Sequence, residues 1–276
     1  MITVLGSAGF IGRHLVKKLS ELGLEFLSPG REEQISHIPL GDIFYCIGLT
    51  ADFRQQPLAT VEAHVCKLLH VLRDCQFTSM LYLSSARVYG NHLSIAREDD
   101  RLEVEPLEQD HVYNISKIMG ESLLLTSNRK VRVARLSNVY GADFESENFV
   151  SSIIRDAVSN GKMTVRSSPE SAKDYINVDD VIDGLIKIAT AGKHSVYNLA
   201  SGKNTTNQAL VRKISELTGC EVVFAPNPAD KSFAPISIER MQNEFSFQPS
   251  DVLDDLDQII DLYKSNKRLW HDKNRS

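Results

Sequence analysis

Short apolar runs alternate with amphipathic segments along the first half of the chain. The runs ITVL, LEFLS, IFYCIGL, MLYLSS and VRVARLS are typical of buried strands. Between them, apolar side chains recur at helical spacing in FIGRHLVKKLSEL, PLATVEAHVCKLLHVLRDC and VYNISKIMGESLLLT. Strands that alternate with helices predict a parallel sheet covered on both faces, which is a doubly wound α/β fold.

The connection after the second predicted strand is short. Only the segment PGREEQISHIPLGD separates LEFLS from IFYCIGL. This length is too small for a full helix–strand–helix excursion, so we expect an abbreviated crossover.

The pattern loosens after about residue 142. Amphipathic helices are predicted for NFVSSIIRDAVSNG, TTNQALVRKISELTG and DVLDDLDQIIDLYKS, and short strands for MTVRS, SVYNLAS and EVVFAP. We therefore expect one unit, 1–276, with a dinucleotide-binding part of about 1–142 and a small, mixed C-terminal substrate-binding lobe of about 143–276.

Composition narrows the class of protein. The chain is 42% apolar and 24% charged, its formal net charge is −5, and its four cysteines form no CxxC pair. This balance disfavours nucleic acid as a partner, and we find no apolar run long enough to predict a membrane helix. The N-terminus enters a strand-like run without a basic segment, and the histidines show no metal-ligand spacing. We predict a cytoplasmic protein with reduced thiols and no metal.

Three glycines follow the first predicted strand. Gly6, Gly9 and Gly12 form G-x-x-G-x-x-G at the start of the first helix. Glycines allow a tight turn and let the backbone approach a pyrophosphate, which the helix N-terminus then binds through its free N–H groups. A merely tight turn is the alternative, but the strand–loop–helix context favours a dinucleotide site.

Six motifs follow one another along almost the whole chain. They are GSAGFIG (6–12), SSARVYG (84–90), YNISK (113–117), RLSNVYG (135–141), KDYINVDDV (173–181) and YNLASG (197–202). The ordered set resembles the extended short-chain dehydrogenase/reductases, the NAD(P)-dependent epimerase/dehydratase group that acts largely on nucleotide sugars. The resemblance implies a Rossmann-type fold and a nicotinamide cofactor.

Tyr113 and Lys117 are spaced to lie on one face of a helix. Taken alone, this pair is typical of a half-buried ring beside a snorkelling amine. The resemblance instead implies that Tyr113 exchanges a proton with the substrate, and that Ser85 hydrogen-bonds the reacting oxygen. A free tyrosine has a pKa of about 10, and the Lys117 cation would lower it while the amine also reaches the nicotinamide ribose. Ser84 is the neighbouring candidate, and a strand end with two turn-forming serines is the alternative for this motif.

The resemblance also implies a set of cofactor contacts. They are Gly6, Ser7, Ala8, Gly9, Phe10, Ile11, Gly12 and Gly48, together with Tyr113 and Lys117. NAD enzymes usually place an acidic residue after the second strand, whereas this chain has Arg31 before Glu32 and Glu33. An arginine there can pair with a 2′-phosphate, so NADP is slightly favoured over NAD, although Arg31 as a solvated loop charge is the alternative.

The residues near Ser85 discriminate between reactions within the family. Relatives that dehydrate or decarboxylate carry acidic residues where this chain has Ala86 and Arg87. Relatives that epimerise at C3 and C5 use a cysteine and a histidine, but Asp143 stands at the histidine position and no cysteine follows Ser85. Single-carbon keto-sugar reduction or C4-type epimerisation remains. The alternative is a non-catalytic regulator that senses NADP(H) on the same fold.

The resemblance assigns substrate contacts to Ser85, Asn138 and Lys173, the last as a phosphate ligand. Asn227 replaces an arginine that grips the diphosphate in relatives, which weakens the case for a UDP-sugar unless Lys231 compensates. Relatives commonly pair two helices from each subunit. The matching segments here are PLATVEAHVCKLLHVLRDC and VYNISKIMGESLLLT, so we expect a homodimer.

Overall fold

The computed structural model describes residues 1–50, 53–90, 93–108, 111–144, 146–229 and 233–273. Lys231 and the side chain of Asn227, both named above, lie outside the described part. Within that part, no helix combines the length and apolar character that a membrane crossing requires.

The described strands form three sheets. They are β1 (Ile2–Leu5), β2 (Phe26–Leu27), β3 (Asp42–Tyr45), β4 (Ser79–Ser85), β5 (Val131–Leu136), β6 (Asn138–Tyr140), β7 (Lys162–Ser167), β8 (Ala172–Asn177), β9 (Val196–Leu199), β10 (Asn204–Thr206) and β11 (Glu221–Ala229). The main sheet has six strands in the order β2-β1-β3-β4-β5-β9. All of its pairings are parallel, which confirms the predicted Rossmann-type α/β class.

Most helices lie on predicted segments, but the helices Val178–Ala191 and Glu239–Phe245 were not predicted. The described helices are α1 (Phe10–Glu21), α2 (Pro57–Val61), α3 (Lys67–Asp74), α4 (His111–Leu125), α5 (Phe149–Asn160), α6 (Val178–Ala191), α7 (Asn207–Thr218), α8 (Glu239–Phe245) and α9 (Val252–Lys273). One prediction was wrong in detail. The segment PLATVEAHVCKLLHVLRDC is not a regular α-helix, because a π-helical turn, Glu62–Cys66, joins α2 to α3.

The abbreviated crossover is confirmed. The connection 28–41 between β2 and β3 contains neither helix nor strand, and β2 has only two residues. Doubly wound sheets often place two strands beyond the first one, in the order 3-2-1-4-5-6. Only the short β2 lies beyond β1 here, so this edge of the sheet is reduced.

The core lies on both faces of the main sheet. Successive residues of a strand point to opposite faces. Val4 and Leu83 accordingly pack with α1 and α6, whereas Leu5 and Tyr82 pack with α3 and α4. Helices cover both faces of the sheet. In doubly wound folds ligands bind at the carboxyl ends of the strands, so we expect the functional site at that end of the main sheet.

The chain after β5 builds smaller sheets beside the main one. Strands β10-β8-β6 and β11-β7 form them, and α5, α7 and α9 pack around a separate apolar cluster that includes Ile154, Leu210 and Leu256. Strand β9 returns to the main sheet. The C-terminal part therefore contributes to the main sheet as well as to the smaller sheets. The division at about residue 142 stays a prediction.

Candidate active site

The glycine loop fits a dinucleotide. Gly6 has φ +86°, and a Cβ there would lie 2.8 Å from the Cys46 carbonyl carbon. A Cβ on Gly12 would lie 2.2 Å from the Gly6 carbonyl oxygen, so only glycine allows α1 to start this close to β1. In the described residues, no side chain caps α1 at Gly9 and no acidic residue lies in its first turn. Its N-terminal N–H groups are thus suited to a pyrophosphate.

A cleft of about 540 Å³ lies at the carboxyl end of the main sheet. It brings together most of the predicted site residues: Gly9, Phe10, Ile11, Gly48, Ser85, Tyr113, Lys117, Asn138 and Lys173. Gly6, Ser7, Ala8 and Gly12 belong to the same loop but do not line the cleft. Arg31 does not line it either. The Arg31 side chain is 85% exposed and lies 3.9 Å from a Glu32 carboxylate oxygen.

Tyr113 is buried beside two hydroxyl groups. Its side chain is 2% exposed, and the Ser85 and Thr50 side chains lie beside its phenol. The Ser85 hydroxyl oxygen also accepts a hydrogen bond of 3.3 Å from the Arg87 N–H. Burial raises the pKa of Tyr113, and the contacts with Ser85 and Thr50 and the charge of Arg87 only partly oppose it. In the protein alone, the phenol therefore carries its proton at neutral pH.

The half-buried, snorkelling arrangement considered for Tyr113 and Lys117 is wrong. Lys117 is 4% exposed, and its ammonium donates a hydrogen bond of 2.8 Å to the Leu83 carbonyl oxygen. Burial lowers the pKa of Lys117 to about 7, against the opposing charges of Glu121 and Cys46. A buried amine with such a pKa at a cleft wall is typical of a functional lysine rather than a surface one.

The two adjacent serines have different surroundings. Ser84 is buried at the wall of the cleft, and its hydroxyl donates a hydrogen bond of 2.5 Å to Glu121. Glu121 also accepts hydrogen bonds from Arg135, the shortest of which is 2.7 Å. The side chains of this ion pair are 4% and 6% exposed. Ser84 thus belongs to a buried polar network behind the site, whereas Ser85 faces Tyr113.

The predicted substrate residues lie at the other end of the cleft. The Asn138 side-chain amide donates a hydrogen bond of 2.8 Å to the Asp174 carbonyl oxygen. The Lys173 ammonium lies 5.8 Å from the Phe149 ring centre and 6.0 Å from that of Phe233. A cation flanked by two aromatic rings can bind a phosphate while the rings offer a stacking surface.

Sequence reasoning missed several residues at Tyr113. Thr50 lies beside the phenol, Phe53 lies 4.9 Å from Tyr113 between ring centres, and Arg87 lies 5.7 Å from the Tyr113 ring centre. Thr50 follows the carboxyl end of a predicted strand, and that position could have marked it as a candidate. Phe53 carried no comparable signal. Arg87 was considered only because it replaces an acidic residue of the dehydrating and decarboxylating relatives.

Comparisons with known proteins agree with this geometry. A family model described as the NAD dependent epimerase/dehydratase family matches residues 43–200, which is more than half of the 276 residues. UDP-glucuronic acid decarboxylase 1 of Arabidopsis thaliana is 24% identical over 266 residues, covering 83% of this chain and 61% of the relative. The chain therefore spans about three fifths of the length of that relative.

Two further proteins match over nearly their full lengths. The dTDP-4-dehydro-6-deoxy-D-allose reductase of a Streptomyces species is 21% identical, covering 97% of both chains. The structure of MoeE5 in complex with UDP-glucose and NAD superimposes with a TM-score of 0.82 at 20% identity, covering 96% of this chain and 99% of the other. At this identity, the superposition supports the fold.

Proposed function

The chain belongs to the NAD dependent epimerase/dehydratase family, and from this premise we propose that it moves a hydride between a nicotinamide cofactor and one carbon of a nucleotide sugar. The outcome is keto-sugar reduction or C4-type epimerisation. One observation carries the proposal. The Tyr113 phenol and the Ser85 hydroxyl lie beside each other in a cleft that the glycine loop and Lys117 also line.

The roles follow from the positions of the side chains. A bound nicotinamide supplies or accepts the hydride, and the loop from Gly6 to Gly12 would hold its pyrophosphate. Tyr113 gives its proton to the substrate oxygen during reduction and takes one back during oxidation. Ser85 holds that oxygen beside the phenol. Lys117 in its charged form stabilises the phenolate and offers a donor to the ribose hydroxyls.

The surroundings of Ser85 support simple redox chemistry. Decarboxylation and dehydration need a second acid or base near the reacting carbons, but Ala86 and Arg87 occupy those positions. Asp143, at the position of a catalytic histidine in relatives, lies 3.6 Å from Arg13 and is largely buried. The chain therefore lacks, at this position, the histidine that the two-centre epimerases use.

The substrate end of the cleft supports a phosphorylated ligand. We assign the phosphate contact to Lys173 and a sugar or phosphate contact to Asn138, with Phe149 and Phe233 as apolar walls. Relatives act on UDP- and dTDP-sugars by their descriptions. We place the protein in the cytoplasm, since nicotinamide cofactors and nucleotide sugars are held there.

The test is hydride transfer by the purified protein. NADPH and NADH are offered with nucleotide keto-sugars, and NAD⁺ is offered with UDP-glucose and UDP-glucuronic acid, while reduced cofactor is followed by absorbance. We expect transfer with at least one pair. Tight cofactor binding without any transfer would instead identify the non-catalytic regulator considered above.

We expect NADPH to bind more tightly than NADH. Arg31 follows β2 and is exposed, so its guanidinium can swing to a 2′-phosphate. Arg31→Ala should lose most of the preference, on the order of 1.5–3 kcal/mol for a charged hydrogen bond. Arg212→Ala, another exposed arginine, is the control. Equal affinities of the wild type for the two cofactors, measured by calorimetry, would exclude this role.

We propose a homodimer formed through α2, α3 and α4. These helices expose Leu58, Leu69, Met119 and Leu125, and Leu58 is 84% exposed. Several exposed apolar side chains on adjoining helices are typical of an interface. Light scattering should give twice the 30.9 kDa chain mass. The double variant Leu69→Lys with Met119→Lys should be monomeric, whereas Leu262→Lys on α9 should not change the mass.

A further inference from the structure

We propose that His64 is a positioning residue that fixes Tyr113 relative to the loop Cys46–Thr50 at the end of β3. The inference rests on the proposed function, because it concerns the tyrosine that transfers the proton. Four of the loop's residues, Cys46, Ile47, Gly48 and Thr50, line the cleft. The loop therefore contacts the cofactor side and, through Thr50, the Tyr113 phenol.

The π-helical turn Glu62–Cys66 places His64 in the interior. Such turns contain an extra residue relative to an α-helix and often occur at functional sites. Two buried tyrosines of the main sheet stabilise the π-helical turn Glu62–Cys66. The Tyr45 hydroxyl donates to the Ala63 carbonyl oxygen at 3.0 Å, and the Tyr82 hydroxyl donates to the His64 carbonyl oxygen at 3.4 Å.

Gly120 lets α4 pack closely against this turn. A Cβ on Gly120 would lie 2.6 Å from the Tyr82 hydroxyl oxygen and 3.1 Å from the His64 carbonyl oxygen. No other residue fits that distance without a shift of the helix. The close approach brings the imidazole of His64 onto the segment of α4 that carries Tyr113.

The hydrogen bonds of His64 determine its tautomer. The Leu49 N–H donates to Nε2 at 3.2 Å, so Nε2 carries no proton. Nδ1 therefore carries the proton and donates it to the Ser116 hydroxyl oxygen at 2.8 Å. The Ser116 hydroxyl in turn donates to the Tyr113 carbonyl oxygen at 2.8 Å. A directed chain of hydrogen bonds, each donor pointing the same way, thus runs from the loop Cys46–Thr50 through His64 to the backbone of Tyr113.

The imidazole also contacts the reacting side chain. The rings of His64 and Tyr113 are 5.2 Å apart between centres and inclined by 85°, an edge-to-face contact. Leu49, whose N–H donates to His64, directly precedes Thr50, whose side chain lies beside the phenol. His64 is therefore connected to both ends of Tyr113, the carbonyl and the phenol.

His64 acts through position rather than by proton transfer. The side chain is fully buried. Burial, reinforced by the Lys117 charge, lowers the pKa of His64 to about 2, so the ring stays neutral throughout the physiological range. A neutral imidazole with both nitrogens hydrogen-bonded holds the loop Cys46–Thr50 and α4 at a fixed distance. The proton transfer itself is carried out by Tyr113.

Two substitutions separate the two contacts. The amide of His64→Asn can replace Nδ1 and keep the bond to Ser116, but it is too short to reach the Leu49 N–H. The amide of His64→Gln can replace Nε2 and keep the Leu49 bond while it loses the Ser116 bond. Leaving one buried hydrogen-bonding group unsatisfied costs about 1–3 kcal/mol. Each substitution should therefore lower the cofactor affinity or the rate of hydride transfer, whichever depends on the lost bond, by at least about fivefold.

We expect a split between binding and turnover. His64→Asn should weaken NADH binding about tenfold by calorimetry, because the loop Cys46–Thr50 is no longer held, and should also slow hydride transfer. His64→Gln should keep NADH affinity within about twofold and slow single-turnover hydride transfer about tenfold. Ser116→Ala should match His64→Gln, and it decides the question if the histidine variants do not fold.

Thr3→Val is the matched control. It removes a buried hydrogen bond of 2.6 Å to the Leu40 carbonyl oxygen and does not line the cleft. It should lower the melting temperature and leave NADH affinity and hydride transfer unchanged. If the His64 and Ser116 variants behave as Thr3→Val does, or if both histidine variants lose affinity equally, the proposal is wrong.

A second readout does not depend on turnover. Nitrogen-15 spectra of histidine-labelled protein should show His64 as the Nδ1–H tautomer without titration between about pH 5 and pH 9. An Nε2–H tautomer or a titrating ring would overturn the directed chain. If the wild type transfers no hydride at all, the proposed function fails, whereas NADH affinity and the tautomer still test His64.

Discussion

Tyr113→Phe should lower hydride transfer by about 10²–10⁴-fold, the usual contribution of general acid–base catalysis. The substitution removes one oxygen from a fully packed ring, so the core contacts stay in place. Because Lys117 and the glycine loop are untouched, cofactor affinity should change little. The measurement is single-turnover transfer with the substrate that the wild type uses, alongside calorimetry with the same cofactor.

The direction of the pH dependence follows from the burial of Tyr113. Burial raises the pKa of this phenol, so the protonated form that donates during reduction is present at neutral pH. The rate of reduction should therefore fall as the pH rises through that ionisation, and this part of the pH profile should be absent in Tyr113→Phe. Any lowering of this pKa by bound cofactor would move this part of the profile to lower pH.

Two variants serve as controls for Tyr113→Phe. Tyr197→Phe removes a buried hydroxyl that donates to Glu244 at 2.7 Å, and Tyr197 does not line the cleft, so turnover should be preserved. Lys117→Met should instead reduce both turnover and cofactor affinity, since it removes a charge and a ribose donor. Near wild-type transfer by Tyr113→Phe would remove the catalytic assignment.

Arg135→Met should destabilise the protein by about 3–5 kcal/mol, because it leaves the Glu121 carboxylate buried without its cation. The shortest contact in this pair is 2.7 Å, and Arg135 also donates to the Tyr89 hydroxyl at 2.8 Å. Loss of the guanidinium therefore leaves the Tyr89 hydroxyl oxygen without this donor and, among the described residues, the Glu121 carboxylate with only the Ser84 hydroxyl as a donor. Urea unfolding with circular dichroism measures the change in the free energy of unfolding.

An exposed ion pair provides the comparison. Arg212 and Glu216 lie 2.9 Å apart on α7 with side chains 80% and 56% exposed. Arg212→Met should change the free energy of unfolding by less than about 1 kcal/mol. The double variant Arg135→Met with Glu121→Leu should recover part of the loss, since neither member of the pair stays buried with an unpaired charge. A loss below about 1 kcal/mol in Arg135→Met alone would contradict the buried-pair account.

The fold class was readable from the sequence because it depends on local patterns. Apolar runs alternate with helical periodicity, and this pattern predicts a parallel sheet covered on two faces. The glycines before α1 predict a tight turn wherever the rest of the chain lies, since only glycine tolerates the φ of +86° at Gly6. The short connection 28–41 likewise predicted the missing helix and strand by length alone.

The identity of the central catalytic candidates was also available from the sequence. Ser85, Tyr113 and Lys117 were assigned through ordered motifs, and the structure places all three in one cleft. Their surroundings were not available. Tyr113 and Lys117 are four residues apart on any helix, and that spacing does not reveal whether their face meets solvent or a sheet.

Only the tertiary structure decided how these residues are held. The π-helical turn Glu62–Cys66 is not visible in the apolar periodicity, because the apolar positions from Val61 to Leu72 keep the spacing of three or four residues that a regular α-helix would show. Leu49, His64 and Ser116 lie on three separate segments and meet only after the sheet has formed. The pKa values of Tyr113 and Lys117 depend on burial, which is a property of packed neighbours rather than of sequence spacing.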